Sequence, residues 1–229
     1  MQCLICHSMI RLSWTLSYLM MPQRSKTETI CMACQKTFHE IDEASACPKC
    51  GRQQESQNVC KDCQKWQANG SYYYINHALY QYDEAMKAYM HAYKFQGDYQ
   101  LRHVFDTKFS QFIKKFAVFD LIVALPIGKT TWTTRGFNQV LGLMGDLSNN
   151  EVLYMKRDRD EKRQSQKKRN ERLQTGNHFY VDVECRQQIE NKKILLIDDV
   201  YTTGRTLRHA AETLYRQGSD RVESVTLCR

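Results

Sequence analysis

Apolar residues follow two different patterns along the chain, one typical of helices and one typical of strands. In residues 77–95 and 98–116, apolar side chains recur every three or four positions, which predicts two amphipathic helices separated by Gly97. Continuous apolar runs at 119–126 and 192–198 instead predict buried strands. Weaker patterns predict further strands at 151–155, 178–183 and 222–229, helices at 137–148 and 203–218, and a Gly/Thr-rich loop between 127 and 136.

The alternation of strands and helices predicts an α/β fold with a mostly parallel sheet flanked by helices. Before this region, the chain has few long apolar runs and a polar connector, "GRQQESQN". Such a segment has too small a hydrophobic core to fold without disulfide bonds or a bound metal ion. We therefore predict two domains, a small cysteine-rich one at 1–66 and the α/β domain at 67–229.

Eight of the ten cysteines form four Cys-x-x-Cys pairs, all within the first 63 residues. Each pair places two thiolates on one side of a tight turn, and four thiolates complete the tetrahedral coordination of Zn²⁺. The fourfold recurrence favours two structural zinc ions over a redox motif or an iron–sulfur cluster. Sequential and cross-braced pairing of the ligands both remain open, and His7 and His39 are taken as bystanders. The predicted ligands are Cys3, Cys6, Cys31, Cys34, Cys47, Cys50, Cys60 and Cys63.

The chain is basic, with a formal net charge of +8 at pH 7. This charge favours a phosphate-rich ligand such as a nucleic acid, a nucleotide or a phosphorylated sugar, although soluble basic proteins without such ligands share it. The apolar stretch near the N-terminus is interrupted by Arg11, has no basic region before it and is too short to cross a bilayer. We therefore expect a cytosolic protein with reduced cysteines and no membrane insertion.

Two stretches of the sequence are candidates for binding phosphate. "PIGKTT" contains the end of a Walker A motif, but Val123 stands where that motif needs its first glycine. We therefore reject a nucleoside triphosphatase. "ILLIDDVYTTGRTL", residues 194–207, places two aspartates at the end of a predicted strand and a Thr/Gly turn before a helix. Backbone N–H groups at a helix start bind phosphate, and paired carboxylates suit Mg²⁺ or vicinal hydroxyls. This order predicts a ribose 5-phosphate pocket, whereas helix capping alone would explain only one or two of these residues.

The same stretch resembles the phosphoribosyl-pyrophosphate (PRPP) motif of type I phosphoribosyltransferases. With the cysteine pairs, "AYKFQGD", "RGFNQ" and "RQSQKKRNER", the chain resembles the ComF/ComFC competence family through nearly its whole length. The resemblance implies a double zinc-ribbon head on a type I phosphoribosyltransferase-like domain. It also implies a cytoplasmic role in DNA uptake during natural transformation, with single-stranded DNA and a competence helicase as partners.

The resemblance assigns roles to residues of the pocket. Asp198 and Asp199 would be catalytic, binding the ribose hydroxyls and Mg²⁺. The 5-phosphate would lie on Thr202, Thr203, Gly204, Arg205 and Thr206. The pyrophosphate would face the loop from Ile127 to Gln139, with candidates Lys129, Arg135, Gly136, Asn138 and Gln139. In this loop only Lys129 and Arg135 are charged, where family members often carry a basic run.

The segment 156–172 is a further candidate for phosphate binding because it has nine basic residues against four acidic ones. It falls in the predicted flap of the phosphoribosyltransferase-like domain, at about 156–176. A merely solvated charged segment would have the same composition. The candidates for nucleic-acid or PRPP contact are Lys156, Arg157, Arg163, Lys167, Lys168 and Arg169. Aromatic side chains on which bases could stack are Trp66, Tyr72, Tyr73, Tyr74 and Trp132, although the tyrosine run could equally be strand core.

Three functions fit these observations. The first is a DNA-uptake protein that binds single-stranded DNA and keeps a PRPP pocket. The second is an active Mg²⁺-dependent phosphoribosyltransferase of base salvage, favoured by the intact Asp-Asp and Thr-Thr-Gly-x-Thr order. The third is a zinc-stapled adaptor whose pocket is a relic. A homo-oligomer is compatible with each of them.

Overall fold

The computed structural model describes residues 1–10, 29–68, 72–156 and 177–229. Its strands are β1 (Asn76–Tyr80), β2 (Leu121–Ala124), β3 (Tyr154–Met155), β4 (Phe179–Tyr180), β5 (Lys193–Val200) and β6 (Arg221–Cys228). Four of them form a parallel sheet in the order β1-β6-β5-β2, and β3 pairs antiparallel with β4. The predicted α/β class with a mostly parallel sheet flanked by helices is confirmed.

The described helices surround this sheet. They are α1 (Met32–Gln35), α2 (Lys61–Ala68), α3 (Glu84–Phe95), α4 (Asp106–Lys114), α5 (Lys129–Arg135), α6 (Gln139–Met144), α7 (Arg186–Ile189) and α8 (Arg205–Tyr215). Short 3₁₀ turns occupy Glu43–Ser45, Tyr99–Val104 and Val183–Cys185. None of the helices in the described ranges combines the length and apolar character needed to cross a bilayer.

The central strand β5 is buried on both faces, which explains its continuous apolar run. Leu195 and Ile197 pack on one side with side chains of α3, α4 and α6. Ile194 and Leu196 point to the opposite side, where they pack with α8 and with the second group of cysteines. The sheet therefore separates two hydrophobic cores, and the cysteine-rich segment contributes to both, through Phe38 on one side and through its second group of cysteines on the other.

The prediction of a single helix over 77–95 is wrong at its start. Residues Asn76–Tyr80 form strand β1, whose Ala78 pairs with Thr226 of β6. Helix α3 begins only after Asp83, whose carboxylate accepts a hydrogen bond from the Met86 N–H at 2.9 Å. A short strand and the helix that follows it happen to keep a common apolar spacing, so periodicity alone did not separate them.

Two other segments also differ from their predicted form. Residues 98–116 are a 3₁₀ turn followed by α4, because Phe105 leaves the helical region (φ −125°, ψ −14°) to pack edge-on against Phe38 and Tyr89. The segment predicted as a Gly/Thr-rich loop contains helix α5, which ends at Gly136 with φ +80°. The predicted strands at 151–155 and 178–183 are confirmed, but only as the two-residue strands β3 and β4.

The cysteine-rich segment covers strand β1, which lies at an edge of the parallel sheet. The Asn76 N–H donates to the Lys49 carbonyl at 2.9 Å, and the Ile41 N–H donates to the Leu79 carbonyl at 3.0 Å. Covered edges prevent a sheet from pairing with other chains. The head therefore protects the edge of the larger domain. The division at residue 66 stays a prediction.

Glu223 is a buried carboxylate near the amino end of β6, with 2% of its surface exposed. It hydrogen-bonds His77 Nε2 at 2.8 Å and accepts from Arg221 Nε at 2.7 Å. Burial alone would raise its pKa, but the hydrogen bonds and charges of His77 and Arg221 outweigh burial and lower the pKa below its ordinary value. Because the folded pKa is lowered, this contribution to stability is present above the unfolded pKa and is lost as the pH falls.

We expect Glu223→Gln to lower the free energy of unfolding by about 1–3 kcal/mol at pH 7, since it removes the charged acceptor that His77 and Arg221 share. The loss should shrink as the pH falls below the ordinary glutamate pKa of ~4.3, and should vanish once the carboxyl of the folded protein, whose pKa is lower, is also protonated. Urea unfolding across this pH range measures the difference, and Glu184→Gln, at an exposed position, is the matched control. An equal loss at every pH would contradict the electrostatic explanation.

Candidate phosphate-binding site and metal centres

Two segments that carry predicted site residues leave the sheet at the same edge. Strands β2 and β5 are parallel neighbours, with Ala124 opposite Ile197. The chain after β2 leads to α5, and the chain after β5 leads through residues 201–204 to α8. Open α/β sheets bind ligands in the crevice beyond the carboxyl ends of such strands. The fold therefore places both phosphate candidates at one edge of the sheet, where such a crevice is expected.

Asp198 and Asp199 occupy the last part of β5. Asp199 is 3% exposed and forms an ion pair with Lys94, whose side chain is 19% exposed and lies in the last turn of α3. Its other carboxylate oxygen, Oδ1, accepts from the Val200 N–H at 2.9 Å. Successive strand residues face opposite sides of a sheet, so Asp198 does not share this position against α3.

Asp198 is a carboxyl group in an unfavourable environment for charge. Burial raises its pKa well above the ordinary value, and the neighbouring Asp199 carboxylate raises it further. The Asp199 N–H and the Lys94 ammonium act in the opposite direction but do not outweigh these effects. Two adjacent carboxylates with one nearby ammonium form a site that a divalent cation would stabilise.

The turn that follows β5 presents backbone N–H groups to its surroundings. The N–H groups of Thr202, Thr203 and Gly204 donate to no acceptor within the described residues. Gly204 has φ +75°, and a Cβ there would lie 2.0 Å from the Tyr201 hydroxyl oxygen, so a larger residue would be strained and would clash. The turn ends at the amino terminus of α8, where the helix dipole favours an anion.

The side chains around this turn differ in exposure. Thr202, Thr203 and Thr206 are exposed, and Arg205 is half-buried. The Thr203 hydroxyl oxygen accepts from the Arg205 N–H at 3.4 Å. These hydroxyl groups, and the N–H groups that have no acceptor among the described residues, are donors of the kind that bind phosphate. The five predicted 5-phosphate residues therefore lie together in the structure.

Most pyrophosphate-loop candidates hold the loop in place. Arg135 Nε donates to the Lys94 carbonyl at 3.1 Å, and Arg135 Nη1 donates to the Gln139 side chain. Asn138 accepts from the Val140 N–H as the cap of α6 and donates to the Leu125 carbonyl at 3.1 Å. Gln139 is 7% exposed, and Gly136 ends α5. Lys129 differs from them because it is exposed at the start of α5.

A cavity of about 730 Å³ lies between α5 and the β3–β4 pair. Lys129 and Lys156 line it from opposite sides, together with Tyr154 and Tyr180, whose ring centroids are 5.6 Å apart. The aspartates and the turn after β5 are not part of its lining. One pyrophosphate-loop candidate and one flap candidate thus share a cavity. The other flap candidates, Arg157, Arg163, Lys167, Lys168 and Arg169, lie outside the described residues.

The candidates for base stacking have different environments. Tyr74 follows the alternative of core packing, since it is 3% exposed and belongs to the hydrophobic core. Trp66 lies under the Arg208 guanidinium at 4.9 Å. Tyr72 stacks on Tyr215 but remains 53% exposed. Tyr73 and Trp132 are 62% and 54% exposed.

The eight paired cysteines form two clusters, each with all four sulfur atoms within 4.8 Å of one another. The first contains Cys3, Cys6, Cys31 and Cys34, and the second contains Cys47, Cys50, Cys60 and Cys63. Sequential grouping is therefore confirmed over cross-bracing. The Cys6–Cys31 and Cys50–Cys60 sulfur distances are both 3.7 Å. Tetrahedral Zn²⁺ with Zn–S bonds of about 2.3 Å requires sulfur atoms about 3.8 Å apart, so the clusters fit structural zinc.

The two clusters also repeat the same local structure. The Cys31 N–H points to the Cys3 sulfur, and the Cys60 N–H points to the Cys47 sulfur, both at 3.3 Å. The third cysteine of each cluster immediately precedes a helix, α1 or α2. Because four protein ligands fill each tetrahedron, neither ion would keep an open position for a reactive water. His39 pairs with Asp83 at 2.7 Å and belongs to neither cluster.

Comparisons with known proteins agree with this geometry. Residues 144–229 match a family model described as a phosphoribosyl transferase domain, which includes the aspartates and the turn after β5. The chain is 36% identical to the competence protein ComFC of Streptococcus pneumoniae over 230 residues, covering 100% of both chains. The chain belongs to the ComFC family. The ComFC of Bacillus subtilis is 33% identical over 235 residues, covering 99% of this chain and 94% of its own length.

Two residues of this ComFC family member were missed as parts of the site. Lys94 lies in "AYKFQGD", which the sequence offered only as part of the resemblance, and the structure pairs it with Asp199. Arg229 donates to the Thr202 carbonyl, and no sequence signal points from the end of β6 to the turn after β5. Both are long-range contacts, which a local pattern does not reveal.

The two aspartates should have opposite effects on stability in buffer without added Mg²⁺. We expect Asp198→Asn to raise the melting temperature at pH 7, because it removes a carboxylate whose raised pKa makes its charge costly. Asp199→Asn should instead lower stability by about 1–3 kcal/mol, because the half-enclosed Lys94 loses its partner. Such losses correspond to about 2–4 °C per kcal/mol for a chain of this size.

Thermal unfolding followed by circular dichroism measures both effects. Since a raised carboxyl pKa costs stability above the unfolded pKa, the advantage of Asp198→Asn should disappear as the pH falls below ~4. Asp182→Asn, at an exposed position, is the control. Equal destabilisation by both substitutions would mean that Asp198 serves mainly as a structural acceptor.

Proposed function

We propose that this protein is a competence protein that acts on incoming single-stranded DNA in the cytoplasm during natural transformation, and that its crevice binds PRPP with Mg²⁺. The observation that carries the PRPP assignment is the turn after β5, where three N–H groups have no acceptor in the described part of the chain and follow two consecutive aspartates. The competence role rests on the two relatives, which are named as competence proteins and match along 100% and 94% of their own length. A competence helicase is the partner that the family resemblance suggests.

Each part of PRPP has a chemically suitable partner at the sheet edge. The 5-phosphate would accept hydrogen bonds from the N–H groups and hydroxyls of residues 202–206. Asp198 and Asp199 would hold the ribose hydroxyls and Mg²⁺, which supplies positive charge that Lys94 alone does not provide to both carboxylates. Lys129, exposed at the start of α5, is the basic residue best placed to meet the pyrophosphate.

Phosphoribosyl transfer in base salvage is a second candidate. It is favoured by the match of residues 144–229 to the phosphoribosyl transferase domain and by the preserved pair of aspartates. Such an enzyme stabilises charge as pyrophosphate leaves an oxocarbenium-like ribose. Within the described residues, the cavity beside Tyr154 and Tyr180 offers aromatic faces but no buried polar group that would select one base.

Single-stranded DNA binding is supported by charge and exposed aromatic rings. The net charge is +8, and Lys129, Lys156 and Tyr180 line the same open cavity. Trp132 lies on α5 and is 54% exposed. Proteins that bind single strands without sequence preference combine cationic grooves with aromatic side chains on which bases stack. This face of the molecule has both components.

Calorimetric titration with PRPP tests the pocket. We expect binding that strengthens when Mg²⁺ is added, and at least tenfold weaker binding for Asp198→Asn with Asp199→Asn, because both proposed ligands of the cation are lost. Asp182→Asn is the control. Absence of PRPP binding with Mg²⁺ present would overturn the PRPP assignment and favour an adaptor with a relic pocket. Pyrophosphate release on adding a panel of nucleobases would favour the salvage enzyme.

Binding of a labelled oligonucleotide at several salt concentrations tests the DNA role. We expect affinity to fall steeply with salt, and Lys129→Gln with Lys156→Gln to weaken binding and reduce the salt slope by about 1 for each lost phosphate contact. Lys192→Gln is the control, because Lys192 precedes β5 at the opposite edge of the sheet. Binding without a salt slope, or an equal effect of all three substitutions, would overturn this assignment.

A further inference from the structure

We propose that Arg229 and Trp66 are positioning residues that tie the turn after β5 to the second cysteine cluster, so that zinc in this cluster controls how well the turn binds phosphate. The inference rests on the proposed PRPP site and adds a link between it and the head. It concerns the cluster formed by Cys47, Cys50, Cys60 and Cys63.

Arg229 connects the turn to the second cluster from one side. Its Nη1 donates to the carbonyls of Tyr201 at 3.2 Å and Thr202 at 2.5 Å. Its guanidinium lies 4.8 Å from the centre of the Tyr201 ring, interacts with the Cys50 sulfur, and approaches Asp62 of α2 at 3.9 Å. With 7% of its side chain exposed, Arg229 is buried between the turn and the head.

Trp66 makes the second connection, from α2. Its indole Nε1 donates to the Thr203 carbonyl at 3.1 Å. Its ring also stacks under the guanidinium of Arg208, which lies one turn into α8. Helix α2 follows Cys60 directly and contains Cys63, so two zinc ligands fix its position. An eight-residue helix has little stability of its own, so the metal site and its packing must hold it.

These two side chains determine where the backbone N–H groups of the turn point. In a trans peptide the C=O and the following N–H point in opposite directions. Arg229 holds the carbonyls of Tyr201 and Thr202, and Trp66 holds that of Thr203. The N–H groups of the next residues, 202, 203 and 204, therefore point away from the head. They are the same three groups that have no acceptor among the described residues.

The first cluster provides an internal comparison because it has similar knuckles but packs elsewhere. Its neighbour Thr29 donates through Oγ1 to the His103 carbonyl at 3.0 Å, and Leu4 and Ile5 pack on the core that contains Phe105. The hydrogen bond lies on the 3₁₀ turn Tyr99–Val104, away from the turn after β5. Loss of zinc from the first cluster should consequently leave the turn after β5 unchanged.

Coupling between two binding sites is reciprocal. If zinc in the second cluster orders the turn for phosphate, then phosphate on the turn must retain zinc in the cluster. The coupling is expected to appear in three measurements on the full chain: PRPP affinity by calorimetry, hydrogen exchange in 201–206, and zinc release to a chromogenic chelator. Exchange in 201–206 is read at two hydrogen-bonded N–H groups of this segment, those of Tyr201, which donates to the Cys228 carbonyl at 3.0 Å, and Arg205, which donates to the Thr203 hydroxyl oxygen at 3.4 Å.

The variants separate positioning from general damage. Trp66→Phe keeps an aromatic ring under Arg208 but removes the N–H donor and part of the indole surface, so PRPP affinity should fall about three- to tenfold. Arg229→Lys keeps the charge but not the planar fork, and should weaken PRPP binding by about tenfold or more. Both should speed exchange in residues 201–206. Gln67→Ala, exposed on the same helix, should change neither measurement.

The two clusters are compared in the same way. Cys60→Ser should release one zinc and speed exchange in 201–206, whereas Cys6→Ser should release one zinc without that effect. In the unaltered chain, saturating PRPP should slow zinc loss from one cluster only. Unchanged exchange in 201–206 for Trp66→Phe, Arg229→Lys and Cys60→Ser would overturn the inference. Absence of PRPP binding by the unaltered chain would instead overturn the proposed function, while the exchange measurements would still decide the coupling.

Discussion

The structure depends on how two acidic residues are accommodated at the end of its buried central strand. β5 is enclosed on both faces, and such a strand is stabilised by apolar side chains, yet it ends in two carboxylates. Lys94 compensates Asp199, while Asp198 has a pKa raised by burial and by its neighbour. Buried charge is costly unless it is paired. The fold nevertheless provides only one nearby cation, Lys94, for the two acidic groups. That imbalance is the physical basis of the proposed divalent-cation site at this edge of the sheet.

The remaining site follows from the direction of the strands. Because β2 and β5 are parallel neighbours, the segments that directly follow these two strands lie at the same edge of the sheet, whatever their sequence. The sequence needed only to place donors after β5 and a basic residue after β2. In the segment after β2, the side chains of Arg135, Asn138 and Gln139 form hydrogen bonds that fix the backbone conformation. Their polar side chains are structural in this state, and Lys129 remains as the exposed charge.

Local signals predicted the fold class, both cysteine clusters and the residues of the turn, because each depends on neighbours within a few positions. Zinc knuckles and a strand followed by a Gly-containing turn are such features. Strand β1 was missed because its apolar residues continue the spacing of α3, and only pairing with β6 distinguishes them. Lys94, Trp66 and Arg229 were not recognised as neighbours of the site, because they reach it from segments far away in sequence.

The two zinc knuckles show why local similarity does not determine role. In both, a backbone N–H points to a cysteine sulfur, and a helix begins directly after the third cysteine. Only the second is followed by a helix long enough to place an aromatic donor beyond the metal, since α1 has four residues and α2 has eight. Four more residues add about one helical turn, or about 5–6 Å. The additional helical turn brings Trp66 to the Thr203 carbonyl. The helix that carries a zinc ligand in the head therefore also supports the proposed phosphate-binding turn after β5.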